Sequence, residues 1–238
     1  MAEMNRVQMI VFDWAGTTVD YGSSAPSEVF ARVFSQAGIH LTREEINGPM
    51  GMEKKAHIRA LLSTLSGTKQ WAERYGAAWT EEDVQKLYQT FEATLHDVVA
   101  EYSVPIDSVV ETVRNLREKG LKIGSTTGYT RSMMDVVLPA ATAKGYAVDN
   151  CVTPDGLPAG RPAPYMIYKN MADFAIPSVD CVLKYGDTIA DIKEGINAKA
   201  WTVGVVLGSN ELGLTQEEVS SLPCLLYTSD AADEARSV

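Results

Sequence analysis

Residues 7–12, VQMIVF, are an apolar run that stops at Asp13, and the same figure returns in LKIGSTTG (121–128) and CVLKYGD (181–187). A short continuous apolar run bounded by a polar loop reads as a strand buried on both faces, which a parallel sheet covered by helices requires. Helical patterns separate these runs, at 107–119 (closed by Gly120), 132–144, 165–175 and 189–198. Shorter strands are read at 150–153 and 201–206. Strands alternating with helices mean βαβ units with right-handed crossovers. The expected fold class is α/β, with a Rossmann-like parallel sheet as its core.

One stretch breaks the alternation. From Pro26 to Val99 the chain shows only helical spacing, with stops at Gly38 and at Gly48-Pro49-Met50-Gly51. Thr42-Arg43-Glu44-Glu45 is a capping box, Thr80 is an N-cap candidate, and helices are read at 25–37, 52–65, 69–78 and 81–99. The expected organisation is a discontinuous core at 1–21 and 101–223 with an all-helical cap inserted at 22–100. The tail is read separately. Residues 224–234, CLLYTSDAADE, back-translate to a string resembling a transposase-type sequencing adapter read in frame. The alternative is a genuine polar tail. On the adapter reading 224–238 is non-native, the natural chain is interrupted near Pro223, and a sheet edge is left open.

Composition narrows the function classes. The formal charge is −10, with no basic stripe to neutralise phosphates, so no nucleic-acid partner is expected. No apolar run is long enough for a membrane span. Only Cys151, Cys181 and Cys224 are present, and their spacing fits neither a disulfide framework nor a paired-cysteine zinc site. Sparse cysteines and the absence of an export signal point to a cytoplasmic enzyme.

The polar groups at the strand ends carry the chemistry. In an open parallel sheet, ligands bind outside the carboxyl ends of the strands. Asp13, the turn Ser125-Thr126-Thr127-Gly128 and Asp187 all fall there, and Arg161 lies on a Pro/Gly-rich loop able to reach the same place. Two carboxylates on short loops suit Mg²⁺, which takes few protein oxygens. Hydroxyls, loop N–H groups and an arginine suit phosphate oxygens. Taken singly, Asp13 and Asp187 read equally well as loop or capping residues.

These residues together resemble the haloacid dehalogenase-type hydrolases: Asp13-Trp14-Ala15-Gly16-Thr17 after an apolar strand, Thr127 at a strand end, Arg161 as the basic residue, and Gly186-Asp187-Thr188 with Asp191 as the acidic pair. The resemblance implies that Asp13 is a nucleophile that takes a phosphoryl group as an aspartyl phosphate. Ala15 departs from the usual pattern, because most phosphatases of the family have an acid there to protonate an alcohol leaving group.

Lys54, after Pro49-Met50-Gly51, offers a way round this, with His57 one turn on. A desolvated lysine can attack a carbonyl and form a Schiff base, whose protonated imine is an electron sink. Carbon attached to phosphorus can then depart as an enamine. On spacing alone Lys54 also reads as a solvated helix lysine, and Lys55, about 100° round the helix, is the alternative amine.

DWAGTTVDYGSSAP, GPMGMEKKAH, GSTTGYTRSMMD, VTPDGLPAGRPAP and GDTIADIKEGINA resemble a carbon–phosphorus-cleaving branch of the family, over the chain to about Leu222. The branch implies Mg²⁺-dependent hydrolysis of phosphonoacetaldehyde to acetaldehyde and phosphate. It implies Lys54 as the Schiff-base lysine, and Mg²⁺ held by Asp13, the Ala15 carbonyl and Asp187 with support from Asp191. Thr127, Gly128 and Arg161 would hold the phosphonate, Met50, His57 and Tyr129 would line the pocket, and His57 would carry protons. Closure of the cap over the core is expected to strip water from the lysine. A homodimer is implied, with Trp71, Trp79 and helix 25–37 as candidate contact surfaces. The rival is a phosphatase or phosphomutase of the same family acting on a small phosphate ester.

Overall fold

The computed structural model describes residues 7–49, 54–209, 212 and 214–221. Met50 and the tail 224–238 lie outside the described residues. In chain order the elements are β1 (Met9–Phe12), α1 (Ser24–Gln36), α2 (Arg43–Asn47), α3 (Lys54–Ser63), α4 (Leu65–Tyr75), α5 (Glu81–Val98), α6 (Val109–Glu118), β2 (Lys122–Thr126), α7 (Arg131–Ala143), β3 (Asn150–Val152), α8 (Tyr165–Asp173), β4 (Val182–Gly186), α9 (Ile189–Ala198), β5 (Trp201–Gly204) and α10 (Gln216–Ser221). They fall into two compact units. One comprises the described residues of Met1–Ser23, Pro105–Thr130 and Gly145–Val238, the other Ser24–Val104 and Arg131–Lys144.

The first unit is built on a parallel sheet of order β3-β2-β1-β4-β5. All four residues of β1 are buried, as an apolar run in a central strand demands. Met9 and Val11 pack with Ile167 of α8, Val182 of β4 and Ala198 of α9 in one buried cluster. Each aliphatic side chain of that size removed from water contributes roughly 1.5–3 kcal/mol. Phe12 is level with Ser125 on one side and Tyr185 on the other. The chain leaving β1 therefore emerges beside the ends of β2 and β4, where the strand order reverses. Among the described residues β5 lies at the sheet's edge, pairing with β4, and carries Trp201, which is 51% exposed.

The second unit is entirely helical among its described residues. Thr42 caps α2 and Thr80 caps α5, each in a reciprocal capping box, with Glu45 and Asp83 as the third residues. Val29, Phe30, Val33 and Phe34 make the buried stripe of α1, and Leu87, Phe91 and Leu95 that of α5. Helix α7 packs on α5 and so belongs with these helices. Trp71 corrects one expectation: it is buried and stacked on Tyr75 at 4.3 Å, so it is part of this unit's interior and not a contact surface. Among the described residues no helix is long and apolar enough to cross a membrane.

Candidate active site

The loop after β1 is held from within. The Asp13 N–H donates to the Tyr185 carbonyl at 2.9 Å, which continues the β1–β4 ladder by one bond. The Trp14 carbonyl accepts from the N–H groups of Thr17, Thr18 and Val19, and the Thr18 hydroxyl donates to the Asp13 carbonyl at 2.8 Å. Trp14 is buried edge-on against Tyr146, with ring centroids 5.2 Å apart. Gly16 has φ +83°, and a Cβ there would lie 2.3 Å from Asp187 Oδ2. A side chain at position 16 would thus strain the turn and displace a carboxylate. Ala15 is the half-buried residue on an otherwise buried stretch, and its methyl group offers no proton.

Charges converge on this loop from three segments. Arg161, with a side chain 10% exposed, donates from Nη2 to Asp13 Oδ1 at 2.6 Å, and its Nη1 pairs with Asp191 Oδ1 at 2.9 Å. Its Nε donates to Glu194 Oε2 at 3.2 Å. Lys184, in the middle of β4 and fully buried, donates to Asp191 Oδ1 at 2.7 Å and to Thr126 Oγ1 at 2.9 Å. Burial pushes the Asp13 carboxyl above its ordinary value, against the pull of Arg161. Burial would raise Asp191 too, but Arg161 and Lys184 outweigh it and hold that carboxyl low. Desolvation disfavours the Arg161 cation, yet Asp13, Asp191 and Glu194 more than offset this and keep it charged.

Asp13, Asp187 and Asp191 each bring a carboxylate oxygen within 4.8 Å of the others, and all three are buried. Hard oxygen donors crowded in this way fit a small divalent cation, whose charge would relieve the repulsion. Asp187 accepts from the Thr17 hydroxyl at 3.0 Å. Asp191 doubles as the third residue of a capping box with Thr188, so the start of α9 fixes where it points.

Thr127 is buried at the end of β2, and its Oγ1 accepts from the Tyr129 N–H at 3.0 Å. Gly128 is exposed with open space where a Cβ would be. Burial, then the charges of Asp20, Asp13 and Asp187, push the Tyr129 phenol well above its ordinary value, so it stays a hydrogen-bond donor.

Lys54 and His57 lie in the helical unit. Lys54 opens α3 with its Nζ 5.8 Å from the Phe30 ring centroid and 6.0 Å from that of Phe91. Those two rings are themselves 4.4 Å apart. Lys55 turns instead over Tyr88, at 4.8 Å. His57 is fully buried, lies 3.9 Å from Phe30 between ring centroids, and places Nε2 2.8 Å from the Ile46 carbonyl. That contact makes Nε2 the protonated nitrogen and leaves the lone pair on Nδ1, which has no hydrogen-bond partner.

Burial, then the Lys54 ammonium, lower the His57 pKa from 6.5 to about 4, against the Ile46 carbonyl. The imidazole is therefore neutral in the folded chain. Between pH 6.5 and 4 the unfolded chain takes a proton that the native one refuses. Stability should accordingly fall through that window, by about 3 kcal/mol at full extent. Urea midpoints at pH 7 and pH 4.5 check this: wild type should lose more than His57→Gln, and equal losses would exonerate His57.

Sequence reasoning passed over Lys184 and Glu194. A lysine inside an apolar strand run was the available signal for the first. For Glu194 it was the spacing of three residues from Asp191 on the same helix.

Comparison with known proteins accords with this arrangement. The family model for haloacid dehalogenase-like hydrolases matches residues 7–199. A phosphonoacetaldehyde hydrolase of Bacteroides fragilis is 55% identical over 220 residues, covering 92% of this chain and 84% of that protein. One from Bacillus cereus is 49% identical over 217 residues, covering 91% and 82%. Among solved structures, a phosphonoacetaldehyde hydrolase-like protein of Oleispira antarctica superposes with a TM-score of 0.80 at 37% identity, covering 98% of this chain and 82% of its own.

Proposed function

This chain belongs to the haloacid dehalogenase-like hydrolases, and from that premise we propose that it hydrolyses the carbon–phosphorus bond of phosphonoacetaldehyde to give acetaldehyde and phosphate. The observation that carries the reading is Ala15. A loop that presents Asp13 as nucleophile has no acid two residues on, so an alcohol could not be protonated as it leaves. A carbon leaving group needs an electron sink instead, and an amine supplies one.

In this reading Lys54 adds to the aldehyde carbon and loses water to form a protonated imine. An Asp13 carboxylate oxygen then attacks phosphorus, and the carbon–phosphorus electron pair moves into the imine to give an enamine. Water cleaves the aspartyl phosphate. The enamine takes a proton at carbon, with His57 as carrier, and a second water releases acetaldehyde and the free lysine. Arg161, Thr127 and Gly128 hold the phosphonate oxygens, where charge must be stabilised. Tyr129 lines the same pocket, and Met50 is assigned there from the resemblance alone. Asp13, Asp187 and the Ala15 carbonyl would hold Mg²⁺, supported by Asp191, and when bound the ion would neutralise charge on the phosphoryl oxygens. The choice of Lys54 over Lys55 is supported by its position over buried rings beside His57.

The decisive assay measures acetaldehyde and phosphate released from phosphonoacetaldehyde, with and without a chelator, together with borohydride reduction in the presence of substrate. Equimolar products, loss on chelation and an adduct on Lys54 are expected. Turnover of phosphate esters that survives Lys54→Met, with no adduct, would replace this reading by a phosphatase or phosphomutase. The proposal also places the enzyme in the cytoplasm as a homodimer, on cysteine usage and family resemblance; sedimentation equilibrium tests the second.

A further inference from the structure

Lys184 and Glu194 are fully buried charged side chains beside the candidate site for which the proposed chemistry has no task. We propose that Glu194, neutralised by Lys184, is a positioning residue that holds Arg161 by its Nε and so aims Nη2 at the phosphoryl oxygens. The inference rests on the phosphoryl-transfer function proposed above.

Three carboxylates hold the guanidinium, with the Thr126 hydroxyl as a fourth partner at Nη2, and the carboxylates differ in what becomes of them during reaction. The contact to Asp13 must give way when Asp13 attacks phosphorus. The contact to Asp191 goes to a carboxylate of the candidate metal cluster. Glu194 alone of the three stands outside both roles, and it binds the one nitrogen that faces away from the fork. A contact at Nε uses neither Nη group, so an N–H of Nη2 turns to an anion once Asp13 gives way, while Asp191 and Thr126 keep their contacts.

Glu194 is itself held through one oxygen. Its Oε2 accepts from the Thr126 hydroxyl at 3.0 Å and lies 3.4 Å from Lys184 Nζ. Thr126 Oγ1 in turn accepts from Arg161 Nη2 at 2.8 Å and from Lys184 at 2.9 Å, so one hydroxyl ties both cations and the carboxylate together. Lys184 has a second effect. Asp13, Asp191 and Glu194 are opposed by Arg161 and Lys184, and without the lysine the surplus negative charge would repel an incoming phosphonate.

The test is a double-variant cycle read by binding of inorganic phosphate in Mg²⁺ buffer, followed by phosphorus NMR titration. Lys184→Met with Glu194→Leu removes both buried charges together, which folded proteins tolerate better than removal of one. With Arg161 present, this pair of changes should weaken phosphate binding and lower kcat/KM by about 10- to 100-fold, with the melting temperature kept near wild type. In an Arg161→Lys background, which has no Nε, the same changes should weaken binding by less than about threefold. Equal factors in the two backgrounds, or no loss with Arg161 present, would overturn the proposal. Should the paired variant fail to fold, Glu194→Gln in the same two backgrounds gives the same comparison. Because phosphate binding needs no aldehyde, a wild-type chain that binds phosphate but releases no acetaldehyde would count against the substrate and not against Glu194.

Discussion

Asp13→Asn should reduce acetaldehyde release by at least about 10⁴-fold while leaving the chain folded. The amide keeps the shape of the carboxylate, but its neutral oxygen is far too weak a nucleophile to attack phosphorus. It also loses the charge that Arg161 Nη2 meets at 2.6 Å. The expected stability change runs opposite to the activity change. Burial raises the Asp13 carboxyl, so the fold disfavours its ionised form, and that cost appears as pH rises through the titration. At neutral pH a neutral side chain avoids it, so the melting temperature should hold or rise. Acid-quench trapping gives the second readout: wild type should carry a hydroxylamine-labile phosphoryl group on the Asp13 peptide, and the variant none. A variant that still turns over would show that phosphorus goes directly to water.

Lys54→Met should lower carbon–phosphorus cleavage by about 10³-fold or more, and Lys54→Arg should do no better. Methionine preserves the apolar stem over Phe30 and Phe91, so folding should survive. Arginine preserves the positive charge but stays protonated and cannot form an imine. Both variants should bind phosphate as wild type does, because Arg161, Thr127 and Gly128, the residues proposed to hold phosphate, belong to the other unit. Lys55→Met, by contrast, removes an ammonium that lies over Tyr88 and should retain activity. An adduct that moves to Lys55, or activity lost with Lys55 and kept without Lys54, would transfer the amine's role to the neighbour.

Much of the core could be read from local patterns. VQMIVF and CVLKYG read as strands because their apolar runs fit a doubly covered sheet, and the loop Gly186-Asp187-Thr188 leads into helix 189–198, which the structure shows as α9. Asp13, Asp187 and Arg161 could be placed together because strand ends in such a sheet converge, with Asp191 added by the resemblance; in the structure Arg161 pairs with Asp13 and Asp191. What local pattern does not carry is three-dimensional partnership. Lys184 looks like an interruption in a strand until Thr126, 58 residues away, and Glu194 are brought to it. Helix 132–144 reads as one more step in the α/β rhythm, and only its packing on α5 assigns it to the helical unit. The burial of Trp71 and of His57 depends on faces of helices whose partners lie elsewhere in the chain.

The placing of β1 at the middle of the sheet has a consequence for how the protein is born. Its partner β4 is encoded about 170 residues downstream. At ribosomal speeds the first strand waits roughly 10–30 s before its second neighbour exists. Throughout that interval the nascent polypeptide holds a sticky tetrapeptide that helical segments cannot cover by hydrogen bonding. Heat-shock factors that shield such segments would therefore meet this polypeptide early, and yield in a host short of them should drop before any defect in the finished enzyme is measurable.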